Sequence, residues 1–224
     1  MKLMDMDMVK GHVMVENGVR ALIDTGSPVT FGDVKSFEWD GETVIPNKNN
    51  LWGVTIDSIR EMAGVDFDVL VGTDILKRKP FQIDSLRGEF VIGDLNGVAK
   101  HPTLITSHGS PVTELEINGE PGVALIDTGA VKSFFRATPA WGLSEGEHED
   151  FYPTLGKFKA PVWKVPVTVF GETLPLDIVE PPVVLMNMLA MLETSGILGM
   201  DILRYGALGF DLEGGLVSFE RYER

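Results

Sequence analysis

Two aspartates of this chain share one six-residue context. Ala21–Gly26 and Ala124–Gly129 both read A-L-I-D-T-G, so Asp24 and Asp127 lie 103 positions apart, each between an apolar run and a glycine turn. Carboxyls written twice in this way have a definite chemistry if the fold brings them together. At about 3 Å they cannot both ionise comfortably, so they share one proton. The ionised member can then act as base on a water molecule while the protonated member acts as acid on the bond being hydrolysed. Such a titration belongs to the pair, not to either residue.

The surrounding residues repeat as well. Upstream, V-M-V-E-N-G-V-R-A-L-I-D-T-G parallels L-E-I-N-G-E-P-G-V-A-L-I-D-T-G: an alternating strand, an Asn-Gly turn, and a second strand running into the aspartate. Downstream, D-V-L-V-G-T-D-I-L parallels S-G-I-L-G-M-D-I-L, and each is followed by a strand, an Asp-started turn with Gly, and another strand. Gly72 and Gly199, Asp74 and Asp201, and Asp84 and Asp211 are all 127 positions apart. The second half therefore holds 24 more residues than the first between its D-T-G and its apolar-apolar-Gly. Ordered landmarks in register describe a duplication.

The elements that must position the aspartates are short alternating strands separated by Gly, Pro and Asn turns. Helical pattern is confined to D-S-I-R-E-M-A-G at 57–64, D-I-L-K-R-K, D-I-L-R-Y and V-V-L-M-N-M-L-A-M-L-E at 183–193. The expected class is mainly β, with two lobes of 1–100 and 101–224 related by a pseudo-twofold axis. The Met-Asp alternation at the N-terminus reads as frayed.

Composition narrows the partners. The 224 residues carry 33 acids against 19 bases, a formal charge of −14, which argues against nucleic acid or an anionic membrane surface. There is no cysteine, so thiolate metal sites, disulfides and a Cys nucleophile are excluded. No apolar window is long enough to span a membrane, and the first residues lack the run of a signal peptide, so a cytoplasmic location is the simplest expectation. His12, His101, His108 and His148 show no metal-ligand spacing. Ser27 and Ser133 lack the context of a serine nucleophile. Asp74 and Asp201 read as helix N-caps, Asp84 and Asp211 as turn starters, and G-D-L-N-G at Gly93–Gly97 as a turn.

An apolar pair before D-T-G-[Ser/Ala], with an apolar-apolar-Gly further on, resembles the signature of aspartic proteases of the pepsin and retropepsin type. The resemblance covers nearly the whole chain, which looks like two retropepsin-like units fused head to tail. It implies a bilobal acid-protease β-barrel fold, a monomer with Asp24 and Asp127 as the catalytic pair, a peptide or protein substrate, and no cofactor or metal. It implies support from Thr25, Gly26 and Ser27 in one loop and Thr128, Gly129 and Ala130 in the other. The threonines bond across the lobe junction, and Gly72 and Gly199 let a chain pass close behind each loop. A Ser27 hydroxyl bonded to Asp24 would bias that residue toward the base and Asp127 toward the acid. The β-hairpin flap of this family fits 150–170, with its tip near Leu155, Gly156 and Lys157 and with Tyr152 beside it. The first half, E-W-D-G-E-T-V-I-P-N-K-N-N-L-W-G-V-T-I, is too short for an equal one. The Met-Leu stretch at 183–193 reads as core that borders the cleft. The expected activity is that of an aspartic endopeptidase; the alternative is a peptide-binding or scaffolding protein that keeps the fold without turnover.

Overall fold

Each aspartate is delivered by a strand wedged between two neighbours, and the two halves build that arrangement in the same register. The computed structural model describes residues 1–50, 52–95 and 99–223. In the first half, β1 (Lys2–Val9), β2 (His12–Glu16) and β3 (Arg20–Ile23) run antiparallel. Next come β4 (Phe31–Gly32), the small hairpin β5 (Phe37–Trp39) and β6 (Glu42–Val44), α1 (Ile56–Ala63), β7 (Val69–Val71), α2 (Thr73–Leu76), β8 (Phe81–Asp84) and β9 (Glu89–Ile92). A connector, β10 (Lys100–Pro102) and β11 (Leu104–Ile105), leads to the second half. There β12 (Pro111–Ile117), β13 (Glu120–Ile126) and β14 (Ser133–Phe135) precede the long hairpin β15 (Gly146–Tyr152) and β16 (Gly156–Val169). The chain ends with β17 (Glu172–Val179), α3 (Val183–Met191), β18 (Gly196–Leu198), a 3-10 turn at Met200–Arg204, β19 (Gly206–Asp211) and β20 (Leu216–Arg221).

The register displays the duplication. Parallel β3 and β7 pair Ala21 with Val69, and parallel β13 and β18 pair Ala124 with Gly196, the same positions shifted by 103 and 127. Antiparallel β4 and β7 pair Phe31 with Leu70, and β14 and β18 pair Phe134 with Ile197, shifted likewise. The equivalent strands β8 and β19 meet at the centre, where Gln82 faces its own counterpart Gly209. Phe81 and Phe210 stack there with ring centroids 4.9 Å apart. A twofold relation between the halves thus passes through the Gln82–Gly209 pair.

The boundary at 100 and 101 does not divide the sheets. Strands β19 and β20 hydrogen-bond into the ten-stranded sheet of the first half, while the second half keeps an eight-stranded sheet. One hydrophobic core correspondingly draws on both halves, from Met4 and Phe90 to Val167 and Phe219. The N-terminus is not frayed: Met4 and Met6 are buried, and β1 pairs with β2 on one side and β9 on the other. Alternate residues of this edge of the sequence face the core, which is what alternating Met and Asp achieves in a strand.

Asp84 and Asp211 start turns, accepting from the amides of Leu86 and Arg87 and of Gly214 respectively. The Gly93–Gly97 turn runs into Asn96 and Gly97, which lie outside the described residues. Among the described residues, no helix is long and apolar enough to cross a membrane.

Candidate active site

Strand β3 runs into Asp24 and β13 into Asp127, and their amides bond to Val71 O and Leu198 O, each at 3.0 Å. Each chain then turns on its own carboxylate. Asp24 Oδ1 accepts from the Gly26 and Ser27 amides at 2.8 and 2.9 Å, and Asp127 Oδ1 accepts from the Gly129 amide at 2.8 Å. Asp favours such local bonds, which fix its rotamer. A Cβ on Gly26 would stand 2.5 Å from Asp127 Oδ2, and one on Gly129 would stand 2.7 Å from Asp24 Cγ. Each glycine makes room for the other half's carboxyl.

Thr25 and Thr128 point away from the cleft and across the junction. Each amide donates to the other's hydroxyl, and the hydroxyls donate onward to Ile126 O at 2.7 Å and Ile23 O at 2.8 Å. Four buried hydrogen bonds therefore tie together the strands that carry the carboxyls.

Burial pushes the Asp24 carboxyl well above its ordinary range, and the adjacent Asp127 charge and a carboxyl–carboxyl hydrogen bond add to this. Asp127 is raised too, again by burial, but the Gly129 amide and the bond from Asp24 oppose the rise. The two act as one proton-sharing unit. The support expected for Asp24 from the Ser27 side chain is absent. The Ser27 hydroxyl donates to Val29 O at 2.9 Å, away from the carboxyls, and only its backbone amide reaches Asp24. Ala130 occupies the matching place, with its amide bonded to Asp127 O at 3.2 Å.

Behind each loop runs a relay that the sequence reading did not separate out. The Gly72 amide donates to Thr30 Oγ1 at 3.0 Å, and that hydroxyl donates to Asp74 at 2.7 Å. The Gly199 amide donates to Ser133 Oγ at 3.1 Å, and that hydroxyl donates to Asp201 at 2.8 Å. Asp74 and Asp201 are thus not N-caps; Gly72 and Gly199 hold those positions, and the aspartates lie inside the first turn. The available signal was a hydroxyl residue six positions after each D of D-T-G. A Cβ on Gly72 would lie 2.6 Å from Val29 O and one on Gly199 would lie 2.2 Å from Lys132 O, so both backbones press directly on the loops. Burial lifts Asp201 to about 7 even though Ser133, Lys132 and the Asp177 amide favour its ionised form.

The carboxyls open into a cleft of about 570 Å³. Its walls repeat: Leu22, Phe31 and Leu70 on one side match Leu125, Phe134 and Ile197 on the other. Helix α1 adds Ile59 to the first wall, and α3 adds Leu185 and Met188 to the second. The Met-Leu stretch is therefore both core and cleft wall, since Leu185 and Leu189 are buried in the second-half cluster.

One hairpin covers the cleft. Strands β15 and β16 pair from Gly146–Val162 to Tyr152–Gly156, with Leu155 at the turn, Gly156 in the left-handed region (φ 84°), and Lys157 opposite Phe151. Tyr152 hydrogen-bonds Met188 Sδ, and burial raises its phenol, with the Asp127 charge as second cause. Phe151 reaches across to pack on the first-half cluster of Met14, Leu22, Phe31 and Ile59. The β5–β6 hairpin of the first half has strands of only three residues, and its Phe37, Trp39 and Val44 are buried in the core. No residue of β5 or β6 lines the cleft; beyond them Asn50 and Trp52 do, and Leu51 lies outside the described residues. His12, assigned no part by sequence, stands on the cleft wall beside Phe151, with ring centroids 6.3 Å apart. No group of three or more metal-ligating side chains occurs among the described residues.

No family model matches the chain, and no curated protein matches it in sequence. The crystal structure of basic 7S globulin from soybean is similar in fold, with a TM-score of 0.56 at 12% identity over 97% of this chain and 95% of that one. The fold is mainly β and bilobal, of the acid-protease type.

Proposed function

We propose that this chain is an aspartic endopeptidase, hydrolysing peptide bonds with water activated between Asp24 and Asp127. One observation carries the reading: two buried carboxyls from duplicated loops, each fitted against the other's glycine, at the floor of an apolar cleft under a hairpin. The ionised carboxyl takes a proton from water as that water attacks the peptide carbonyl, and the protonated one donates to the carbonyl oxygen. The tetrahedral intermediate then breaks at the C–N bond, and the leaving nitrogen takes a proton from the pair. The β15–β16 hairpin limits water over the reacting bond. Both carboxyls come from one chain, so a monomer suffices, and this chemistry asks for no cofactor.

A mixed peptide library incubated with the protein at acid and neutral pH tests the reading. Cleavage that pepstatin suppresses is the expected result. Peptides that bind but stay intact at every pH would overturn it.

A second reading, a peptide-binding or scaffolding protein on the same fold, is favoured by the likeness to a globulin. The one-sided cover of the cleft also suits it, since water exclusion is weaker where the first half offers only a short hairpin. Binding without cleavage is its signature.

A further inference from the structure

The cleft is lined by three carboxyls, Asp24, Asp127 and Asp150, and by no Lys, Arg or Glu among the described residues. The first two share a proton. Asp150, on β15 of the hairpin, has a side chain only 11% exposed, and its one ion-pair partner among the described residues is His148, 3.3 Å away. Its other oxygen accepts from the Phe151 amide at 2.8 Å. Carboxylates so enclosed are seldom left without a firm cationic partner.

Facing this end of the cleft from the first half is His12, 4% exposed. Burial holds its imidazole below the ordinary pKa; the Asp150 charge and a hydrogen bond to the Gly129 backbone oppose that, and Lys10 adds to it. The ring is therefore neutral near pH 7. Nδ1 is buried without a hydrogen-bond partner. With the ring proton on Nε2, Nδ1 is a bare acceptor. His12 Nδ1 thus has no donor, and Asp150, on the hairpin, has only the Phe151 amide and the His148 ring as partners.

We propose that His12 and Asp150 form a subsite for a cationic side chain, Lys or Arg, of the peptide substrate. This rests on the peptide-cleft reading above. A guanidinium suits it best, because its fan of N–H donors can serve the carboxylate and Nδ1 together. The group enters when the hairpin lifts, and by bridging Asp150 to His12 it draws the hairpin back onto the first half, where Phe151 already packs. Tyr152, two residues along the strand, is the hairpin residue that feels the Asp127 charge. Two strand residues span about 7 Å, so the cationic residue falls beyond the pair that flanks the scissile bond. The chain's formal charge of −14 steers cationic peptides toward it.

The experiment uses one cleavable peptide with Arg, Lys, norleucine or Glu placed in turn at each of the four positions on either side of the scissile bond. At one position Arg should exceed norleucine in kcat/KM by about tenfold or more, as charge-assisted hydrogen bonds of this kind allow. In Asp150→Asn that ratio should fall to about one, and in His12→Leu it should fall part of the way. Binding of the same peptides to Asp127→Asn, followed by fluorescence anisotropy, reads the preference without turnover. Cleavage with equal rates for all four residues at every position would overturn the subsite and leave the protease reading standing. Failure to cleave any peptide would instead sink the protease reading, and the binding series would still judge the subsite: equal affinities overturn it.

Discussion

Thr25 and Thr128 exchange hydrogen bonds, amide to hydroxyl in both directions, at 2.9 and 3.0 Å. The bonds are fully buried and join the two halves directly beneath the carboxyls. Thr128→Val keeps the shape but leaves the Thr25 amide and Ile23 O without partners. Each orphaned buried group costs about 1–3 kcal/mol, so the urea midpoint should fall by the equivalent of at least about 2 kcal/mol. An unchanged midpoint would show that the exchange is not structural.

The carboxyl pair should make the fold prefer acid. Both groups have folded pKa values raised above their unfolded ones. Their contribution is fully present below the unfolded value of 3.8 and is lost as pH rises toward the folded values. Asp24→Asn should therefore be more stable than the parent at pH 7, with the difference shrinking by pH 4. Denaturant titrations at the two pH values check this, and a variant less stable at pH 7 would contradict it.

Asp201 adds a second, separable acid dependence. Its pKa rises from 3.8 to about 7 through burial. The stabilisation is complete below pH 3.8 and gone above about 7, a difference of at most about 4 kcal/mol. Asp201→Asn, which mimics the protonated form, should flatten the fall in stability between pH 4 and 7. Parallel curves for parent and variant would remove Asp201 from the account.

Ser27→Ala should leave the acidic limb of the pH–rate profile where it is, to within about 0.2 unit, because the hydroxyl bonds Val29 O and not Asp24. A neighbouring hydroxyl on the carboxylate would contribute on the order of 1 kcal/mol, or most of a pH unit. A shift of half a unit or more on removing it would place the hydroxyl on the carboxyl during turnover.

The duplication was legible because it is written in side chains of fixed type: A-L-I-D-T-G twice, then G-T-D and G-M-D. Register followed from it, since strands that carry the same landmarks pair in the same way. The extra 24 residues of the second half marked the long hairpin for the same reason. Three things were not legible. The passage of β19 and β20 into the first half's sheet depends on which strand edge is free, and apolar alternation says nothing of that. The direction of the Ser27 hydroxyl is a choice between acceptors two and three residues away, settled by local backbone geometry. His12 was hidden because a single imidazole in a strand has no pattern; only the arrival of Asp150 and Phe151 from 138 positions or more downstream gives it surroundings.

The central claim is that Asp24 and Asp127 together activate water. Its most direct test is kcat/KM on one cleaved peptide for the parent, Asp24→Asn and Asp127→Asn, with folding of each checked by circular dichroism. Each single variant should lose at least the roughly 10²–10⁴-fold that a positioned acid or base supplies, with the fold intact. Near-parental turnover in either folded variant would contradict the account.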